Sequence, residues 1–459
     1  MCLRVAFAFW RLSKYERNLR HFLPLAALLF PIPAFADDAL NLSGSTRVRY
    51  ETIEGQPRVG FNGSDDLLSV RTIITGEYRK GDWRFEAELY DSRAYGTDSG
   101  TPLTTADVNA VELVQASIRY EAGDALGSGT KLNVQAGRFT LNLGSRRLIA
   151  ADDFRNTTNG YTGVRADIGM RDGLSATFVY TLPQVRLPDG RSDLVNNRVK
   201  MDRENFDLVL WGGLVSQKLA SKRSAIEWSF YHLGECDTND LATRDRSLST
   251  GGIRIYRDPA PGSISYESET MYQFGSVSAS FVPAAPKLDV SAWFTHLELG
   301  YSFARAWAPH VSLEFDYASG DGRGAKFGHF DTLFGMRRAD FAPSGLYSAV
   351  GRSNVIASGV RLEVTPSNRI DAFAAYRALW LASRTDSFAT TGVRDITGSS
   401  GRFAGHQVEA RLRHWLVPKR LRLEWSGVFL AKGRFLETAP NAPAAGNTLY
   451  NALNATISF

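Results

Sequence analysis

Arginine side chains recur on the polar faces of alternating segments along this chain, and they are the residues best suited to bind a solute. The planar guanidinium group holds a carboxylate through two parallel hydrogen bonds, so a row of them can grip a polyanion and pass it on. Binding must stay weak and be shared among several sites, because the solute has to leave again. We predict that eight arginines contact the solute: Arg71, Arg138, Arg165, Arg254, Arg361, Arg377, Arg411 and Arg413. Three more occupy equivalent positions: Arg84, Arg119 and Arg422.

Acidic residues share the same faces and support a second interpretation of each single arginine. The acids in question are Glu77, Glu86, Glu88, Glu267, Glu269, Glu314, Asp316, Glu409 and Glu424. Opposite charges on neighbouring strands pair readily, so any one arginine can serve as a structural ion-pair member. The set of arginines as a whole remains the candidate binding surface.

Apolar and polar residues alternate along these segments with a period of two, which places the arginines and acids on one face of each predicted strand. In residues 421–432, Leu423 and Trp425 share one face of a strand, and Arg422 and Glu424 share the other. The same pattern recurs in three other segments: 83–90, 310–318 and 408–416. If the apolar face meets lipid, the charged face must point inward, because a charge near the bilayer midplane costs roughly 2–4 kcal/mol.

Eighteen such segments, separated by turn residues, predict an all-β fold, a transmembrane antiparallel β-barrel. They are 42–50, 67–79, 83–95, 109–121, 130–143, 162–168, 173–182, 206–218, 224–235, 248–257, 264–275, 288–303, 310–318, 353–365, 368–383, 404–417, 421–432 and 449–459. Sixteen strands is the alternative count, since the sixth and tenth segments carry the weakest pattern. Short and long connections alternate, which predicts short periplasmic turns and long extracellular loops.

A barrel of this size is expected to leave an aqueous lumen. The longest connection, 319–352, combines cationic and aromatic residues: Arg323, Lys326, Phe327, Phe330, Phe334, Arg337, Arg338, Phe341 and Arg352. Because long ordered loops are often functional, we predict that this one folds into the mouth or lumen as a constriction. The alternative is an external loop that packs against its neighbours.

Both ends of the chain indicate export. Residues 1–36 combine a basic region, an apolar run and a small-residue cleavage site, and they predict a cleaved signal peptide before a single barrel domain, 37–459. The last segment ends on Phe459, the terminal aromatic of many outer-membrane barrels. We expect Phe459 to recruit the barrel assembly machinery, and the barrel to contact outer-membrane lipid and lipopolysaccharide.

Composition argues against several other classes. The net charge of +5 falls to +1 without residues 1–36, which hold five basic residues and one acid, so the chain predicts no nucleic-acid partner. Cys236 is the sole cysteine after residue 36, so no internal disulfide is expected. The histidines are scattered and no nucleophile or metal motif occurs, so we expect no catalytic residue, metal or cofactor.

Several motifs resemble those of the alginate export family of outer-membrane barrels. They are Phe315–Asp321 followed by Phe330–Phe334; Gly137–Arg138 through Arg147–Leu148, then Arg155–Asn156 and Tyr161–Arg165; and Tyr266–Glu269 with Tyr272–Gly275. The resemblance extends from about Asn41 to Phe459. It implies an eighteen-stranded barrel with an arginine-rich lumen that passes an anionic polysaccharide outward.

We therefore expect a passive channel of the bacterial outer membrane for an anionic polysaccharide or oligosaccharide of the alginate type. An uptake porin for small anionic or aromatic nutrients is the alternative. A structural or adhesive barrel with a plugged lumen is a third class, which would conduct no ions. Neither the direction of transport nor the choice between monomer and trimer follows from the sequence.

Overall fold

A closed ring of eighteen antiparallel strands forms the fold. The computed structural model describes residues 40–221, 223–238, 241–282, 284–337 and 340–459, so the predicted leader and Arg338 lie outside the described residues. The strands are β1 Leu40–Glu54, β2 Ser64–Lys80, β3 Trp83–Tyr95, β4 Asn109–Gly123, β5 Lys131–Thr140, β6 Gly160–Gly169, β7 Leu174–Pro183, β8 Leu208–Lys218, β9 Ser224–Glu235, β10 Ser247–Arg257, β11 Ser263–Ser278, β12 Lys287–Ser302, β13 His310–Ala318, β14 Val355–Ser367, β15 Ile370–Trp380, β16 Phe403–Val417, β17 Leu421–Lys432 and β18 Thr448–Ser458. Each strand pairs with its sequence neighbours, and β18 pairs with β1.

All eighteen predicted segments are strands, including the weakly patterned sixth and tenth, so the count of sixteen is wrong. Two strands end three residues earlier than predicted, at Thr140 and Trp380. The sequence pattern extends beyond Thr140 and beyond Trp380 only because Leu141, Leu143 and Leu381 are apolar, which explains the longer predictions. These three side chains are buried within the protein instead of extending the sheet.

The connections have the predicted asymmetry. Eight connections of two to seven residues lie at one end of the barrel, and nine loops of eight to thirty-six residues lie at the other. We call these the turn end and the loop end; in outer-membrane barrels they face the periplasm and the exterior. The described part of the chain has two helices, α1 Arg191–Val195 and α2 Arg434–Thr438, and both lie in loops. Among the described residues, no helix has the length and apolar character needed to cross a membrane.

The two faces of the wall are oriented as predicted. Leu423 and Trp425 of β17 are exposed on the outer surface, as are Leu313 and Phe315 of β13. Aromatic pairs lie at the turn end, where Trp83 packs against Tyr120 with ring centroids 4.8 Å apart. This arrangement suits a lipid-facing band with an aromatic interfacial girdle.

The carboxyl terminus completes the ring. Phe459 exchanges two backbone hydrogen bonds of 3.0 Å with Gly44 of β1. Its side chain is 49 % exposed and passes so close to Gly44 that a Cβ there would lie 2.5 Å from the ring. The terminal aromatic is therefore an outward-facing part of the β1–β18 seam.

A buried apolar cluster occupies part of the lumen on the loop side, where the sequence predicted an aqueous lumen. Side chains from the wall and from several loops form one buried apolar cluster that includes Phe139, Ile149, Phe341, Leu346 and Phe388. Burying each such large side chain stabilises the fold by roughly 1.5–3 kcal/mol, which favours packing these loops inward.

Loop 319–354 crosses the lumen, in agreement with the predicted inward fold of 319–352. At one side the backbone N–H of Leu346 donates to Glu51 of β1 at 2.9 Å. At the other, the backbone N–H of Asp331 donates to Gln273 of β11 at 2.8 Å. Since β1 and β11 lie ten strands apart in a ring of eighteen, the loop joins nearly opposite walls. Its effect on conductance remains a prediction.

Candidate functional site: an arginine-lined cavity in the lumen

Seven arginines surround a cavity of about 360 Å³ in the lumen. They are Arg47 and Arg49 of β1, Arg146 of loop 141–159, Arg361 of β14, Arg411 and Arg413 of β16, and Arg422 of β17. Two acids, Asp153 and Glu424, share the lining. We call this space the arginine cavity. Its strand residues lie between the middle of the wall and the turn end, and two lumen loops contribute residues to its lining.

Register between strands assembles one wall of the arginine cavity. Asp371 of β15 faces Arg413 of β16, and its carboxylate accepts from Arg413 at 2.8 Å and from Arg411 at 3.1 Å. The ring of Phe373 lies between two guanidinium groups, 3.9 Å from Arg361 and 4.8 Å from Arg411. Cation–π contacts of this kind fix the guanidinium planes without neutralising their charge.

The opposite part of the lining is held by loop 141–159. Arg47 donates to the backbone carbonyls of Asp153 at 3.0 Å and Arg155 at 2.7 Å, and Arg71 donates to the latter at 3.0 Å. Arg49 stacks on Phe154 with its Cζ atom 3.7 Å from the ring centroid. Because carbonyl groups are neutral, the contacts of Arg47 and Arg71 orient these side chains and leave their charge in place.

The arginine cavity has an excess of positive charge. Neither Arg146 nor Arg422 makes an ion pair within the described part of the chain, and Arg422 instead stacks on Trp415 at 5.4 Å. Of the other five, Arg47 donates to neutral carbonyl groups and Arg49 pairs with Glu51 at 3.5 Å. Arg361 pairs with Glu363 at 2.7 Å, and Arg411 and Arg413 share one carboxylate. An anion entering the cavity would therefore meet guanidinium groups that still have donors and charge to offer.

A buried ion network pins the two lumen loops together above the cavity. The carboxylate of Asp340 accepts from Arg147 at 2.7 and 2.9 Å and from Nε of Arg352 at 2.8 Å. Arg147 also donates to Glu269 of β11 at 2.6 Å. Burial opposes ionisation of Asp340, but the two guanidinium groups hold its pKa well below the usual range. The loops are thus tied to each other and to the wall.

Further cations line the interior of the loops. Arg337 donates to the carbonyl of Ser348 at 3.3 Å. Burial, together with the nearby charges of Arg155 and Arg58, lowers the pKa of Arg337 to about 10. The side chain remains a cation at neutral pH, so it adds positive charge to the interior of loop 319–354.

The eight predicted contact residues are not all brought together. Arg361, Arg411 and Arg413 line the arginine cavity, and Arg71 binds the same loop carbonyl as Arg47. The other four lie elsewhere in ion pairs: Arg138 with Glu112 and Glu204, Arg165 with Asp167, Arg254 with Glu227 and Glu267, and Arg377 with Glu314 and Glu409. Arg377 is 1 % exposed and is placed to hold the wall together.

Two further members of the inward set, Arg84 and Arg119, pair with Glu121 at 2.8 Å and Glu86 at 3.9 Å. Arg47 and Arg49 are cavity residues that the sequence reading missed, although they alternate with the outward Val48 inside a predicted strand. The alternation in this strand was enough to predict that Arg47 and Arg49 face inward. Arg146 has no such signal, because it lies in a loop.

Comparison with known proteins agrees with this fold. The sequence model of the alginate export family matches residues 38–448. None of the curated proteins compared with the chain matches it in sequence. Among solved structures, the porin OccD3 of Pseudomonas aeruginosa is similar, with a TM-score of 0.58, 14 % identity and coverage of 95 % of this chain and 96 % of that one.

Two other channels of the same organism are also similar. OccK2 in complex with glucuronate has a TM-score of 0.55 and 11 % identity, and OpdK with vanillate has a TM-score of 0.56 and 10 % identity. Each comparison covers 91 % of this chain and 98 % of the other. At such identities the likeness establishes the fold of an outer-membrane channel. Because the family's sequence model spans most of the chain, the protein belongs to the alginate export family.

Proposed function

We propose that this protein is a passive outer-membrane channel for anionic saccharides of the alginate type. The observation that carries the proposal is the arginine cavity, where seven guanidinium groups and two acids line one space in the lumen. A uronate presents a carboxylate on each sugar unit, and the guanidinium fork matches it. Arg361, Arg411 and Arg413 are proposed as contacts on one wall, with Arg47, Arg146 and Arg422 completing the set.

Outward passage of a polymer is the first form of the proposal, and membership of the alginate export family supports it. A chain of carboxylates can move between successive arginines if each contact is weak, because one contact forms as another breaks. Arg71, beside the cavity, would extend the path along the wall. Three other predicted contacts, Arg138, Arg165 and Arg254, are ion-paired. They could bind the polymer only if its carboxylates displaced their present partners.

Uptake of small anionic or aromatic nutrients is the second form. The observation in its favour is that loop 319–354 spans the lumen above a cavity of only about 360 Å³. Fold neighbours have been solved with glucuronate and with vanillate, which are small carboxylates. A compact pocket beneath crossing loops suits a solute of that size better than a folded polymer.

One experiment separates these forms. The chain from residue 37 is refolded, and its reversal potential is measured in planar bilayers under a KCl gradient, then with oligouronates of increasing length. Anion selectivity with block that strengthens with length supports polymer passage. Block that is complete at one or two sugar units supports uptake. A non-selective or cation-selective current that ignores the sugars contradicts both, and neutral glucose oligomers of equal length serve as the control.

Phe459 is proposed to recruit the barrel assembly machinery, since it is an outward-facing aromatic at the final seam. Replacing Phe459 with alanine is expected to lower the amount of folded barrel in cell membranes while refolding in detergent stays efficient, because the seam's hydrogen bonds are made by backbone. Folded protein is measured by its heat-dependent gel mobility. Leu453→Ala is the matched control on the same outward face of β18; equal losses for both variants would contradict recognition of Phe459.

A further inference from the structure

A second cavity of about 340 Å³ opens at the loop end of the barrel, and no residue that lines it lines the arginine cavity. We call it the outer pocket. Its walls come from loops 236–246 and 279–286, from loop 319–354, and from the loop ends of β9 to β12. The residues that matter for its chemistry are Arg244, Arg246, Phe281, Phe327, His329 and Asp331.

Two of the three basic side chains of the outer pocket are already neutralised. Arg246 forms ion pairs with Glu235 and Asp331. His329 contacts the carboxylate of Asp386 through Nδ1 at 2.7 Å. Neither group has an unmatched charge to offer an incoming anion.

Arg244 is different. In the part of the chain that the structure describes, no carboxylate lies within ion-pair distance of it. Its Nε atom donates to the carbonyl of Ser278 at 2.9 Å, and its Nη2 atom donates to the carbonyl of Ala279 at 3.4 Å. These neutral acceptors fix one edge of the guanidinium group and leave its charge uncompensated, while Nη1 has no protein acceptor among the described residues.

Aromatic surfaces surround this cation. The Cζ atom of Arg244 lies 4.7 Å from the ring centroid of Phe327, and the rings of Phe327 and His329 stack with centroids 6.0 Å apart. Phe281 is 65 % exposed on the opposite loop. A flat apolar surface beside one unmatched cation is complementary to a ring that carries a single carboxylate.

The floor of the outer pocket is rigid. Gln273 of β11 is buried, donates to the carbonyl of Asp331 at 2.8 Å and accepts from the backbone N–H of the same residue at 2.8 Å. The segment that bears Phe327 and His329 is therefore anchored to the barrel wall. Such preorganisation reduces the entropy cost of binding a small ligand.

We propose that the outer pocket binds a six-membered ring bearing one carboxylate, with the carboxylate on Arg244 and the ring against Phe327. A uronate unit and an aromatic acid share this chemistry. The site deepens the proposed function, and its role as an outer station for transported solute rests on that function. Loop 319–354 contributes Asp331 to the outer pocket and Met336 to the arginine cavity. Because five residues of extended chain span at most about 18 Å, the Cα atoms of these two residues can be no farther apart than that.

The test uses the refolded channel in planar bilayers, with D-glucuronate, benzoate or D-glucose added to either side. Current block by the two acids from the loop side, but not by glucose, is expected for the wild type. Arg244→Gln should raise the blocking concentration from the loop side about tenfold, the effect of losing one charge-assisted hydrogen bond. Block from the turn side should not change, because the arginine cavity is intact.

Arg394→Gln is the matched control. Arg394 is an exposed arginine of loop 381–402 whose Nε also donates to a backbone carbonyl, that of Thr385 at 2.8 Å, and it does not line the outer pocket. The Arg394→Gln variant removes the same charge as Arg244→Gln, at the same end of the barrel. If both variants change loop-side block equally, the effect is general electrostatics at the mouth and the outer pocket proposal is overturned.

Two further variants complete the design. Phe327→Leu should weaken benzoate block more than glucuronate block if the ring lies on Phe327, and equal or absent effects contradict that contact. Arg244→Lys keeps the charge and loses the fork, so a loss smaller than that of Arg244→Gln is expected; this variant carries the test if the glutamine variant does not refold.

The outcomes also separate this site from the proposed function. Loop-side block that depends on Arg244 in a channel without anion selectivity would support the pocket and contradict the anionic-saccharide function. Anion selectivity with block that ignores Arg244 would do the reverse. Tighter block by glucuronate than by benzoate would assign the pocket to sugar acids, and the opposite order would assign it to aromatic acids.

Discussion

Replacing Asp340 with asparagine is expected to increase the single-channel conductance and its noise. The variant keeps the shape of the side chain but removes the charge that joins Arg147 and Arg352. Breaking a buried ion pair by removing one partner costs about 3–5 kcal/mol, because the remaining charges are left uncompensated. Loops 141–159 and 319–354 should then hold each other less firmly, through the backbone hydrogen bonds that Phe334 makes with Leu148 and Ala150, while the barrel persists. Conductance in planar bilayers measures the effect directly.

Asp395→Asn is the control for this prediction. The carboxylate of Asp395 accepts hydrogen bonds from Thr397, Ser399 and Ser400, all within its own loop. The Asp395→Asn variant removes the same charge at the loop end, and the Asp395 carboxylate contacts no second loop among the residues that the structure describes. An unchanged conductance in Asp340→Asn would mean that the loops stay docked without the ion network or that they do not limit the current.

Replacing both Arg146 and Arg422 with glutamine is expected to weaken anion selectivity and oligouronate block strongly. Like Arg47, these two cavity arginines make no ion pair within the described residues, so their removal leaves no carboxylate unpaired there. A hydrogen bond to a charged group is worth about 1.5–3 kcal/mol, which corresponds to about tenfold or more in blocking concentration for each arginine that contacts the sugar. The reversal potential and the blocking concentration are the two measurements.

Arg165→Gln tests whether position matters or only total charge. Arg165 is an arginine of the wall that pairs with Asp167 at 2.8 Å and does not line the arginine cavity. It should change oligouronate block much less than either cavity variant. If Arg165→Gln and Arg422→Gln as single substitutions have equal effects, selectivity depends on the summed charge of the lumen, and the arginine cavity is not a distinct binding site.

The alternating pattern was enough to predict the wall because a β-strand is a local structure with a period of two. Leu423 faces outward and Arg422 faces inward because placing a charge in lipid costs free energy. This preference acts on each strand separately. The same reasoning located all eighteen strands and the asymmetric connections. It also identified Arg361, Arg411 and Arg413 as inward residues without knowing that they share a cavity.

Alternation does not apply to the loops. Phe341 and Leu346 are buried because loop 319–354 folds against the inner wall, and no periodic pattern in a loop predicts which side chains meet. The contacts that orient this loop are made to Glu51, Gln273 and Gln407, which come from three distant strands. A hydrophobic core inside the barrel was therefore not predictable from composition alone.

The sequence by itself determined the class of fold and the alternation of side chains along the wall, because those depend on local periodicity and on the solvent at each face. It favoured eighteen strands over sixteen, and the structure decided between them. Which arginines meet in one cavity was decided by the tertiary structure. Arg49 lies beside Asn454, with 2.6 Å between Nε and Oδ1, only because the first and last strands pair in one register. Arg146 reaches the same cavity only because its loop folds into the lumen. Contacts between residues far apart in the chain depend on ring closure and loop packing, which no single segment encodes.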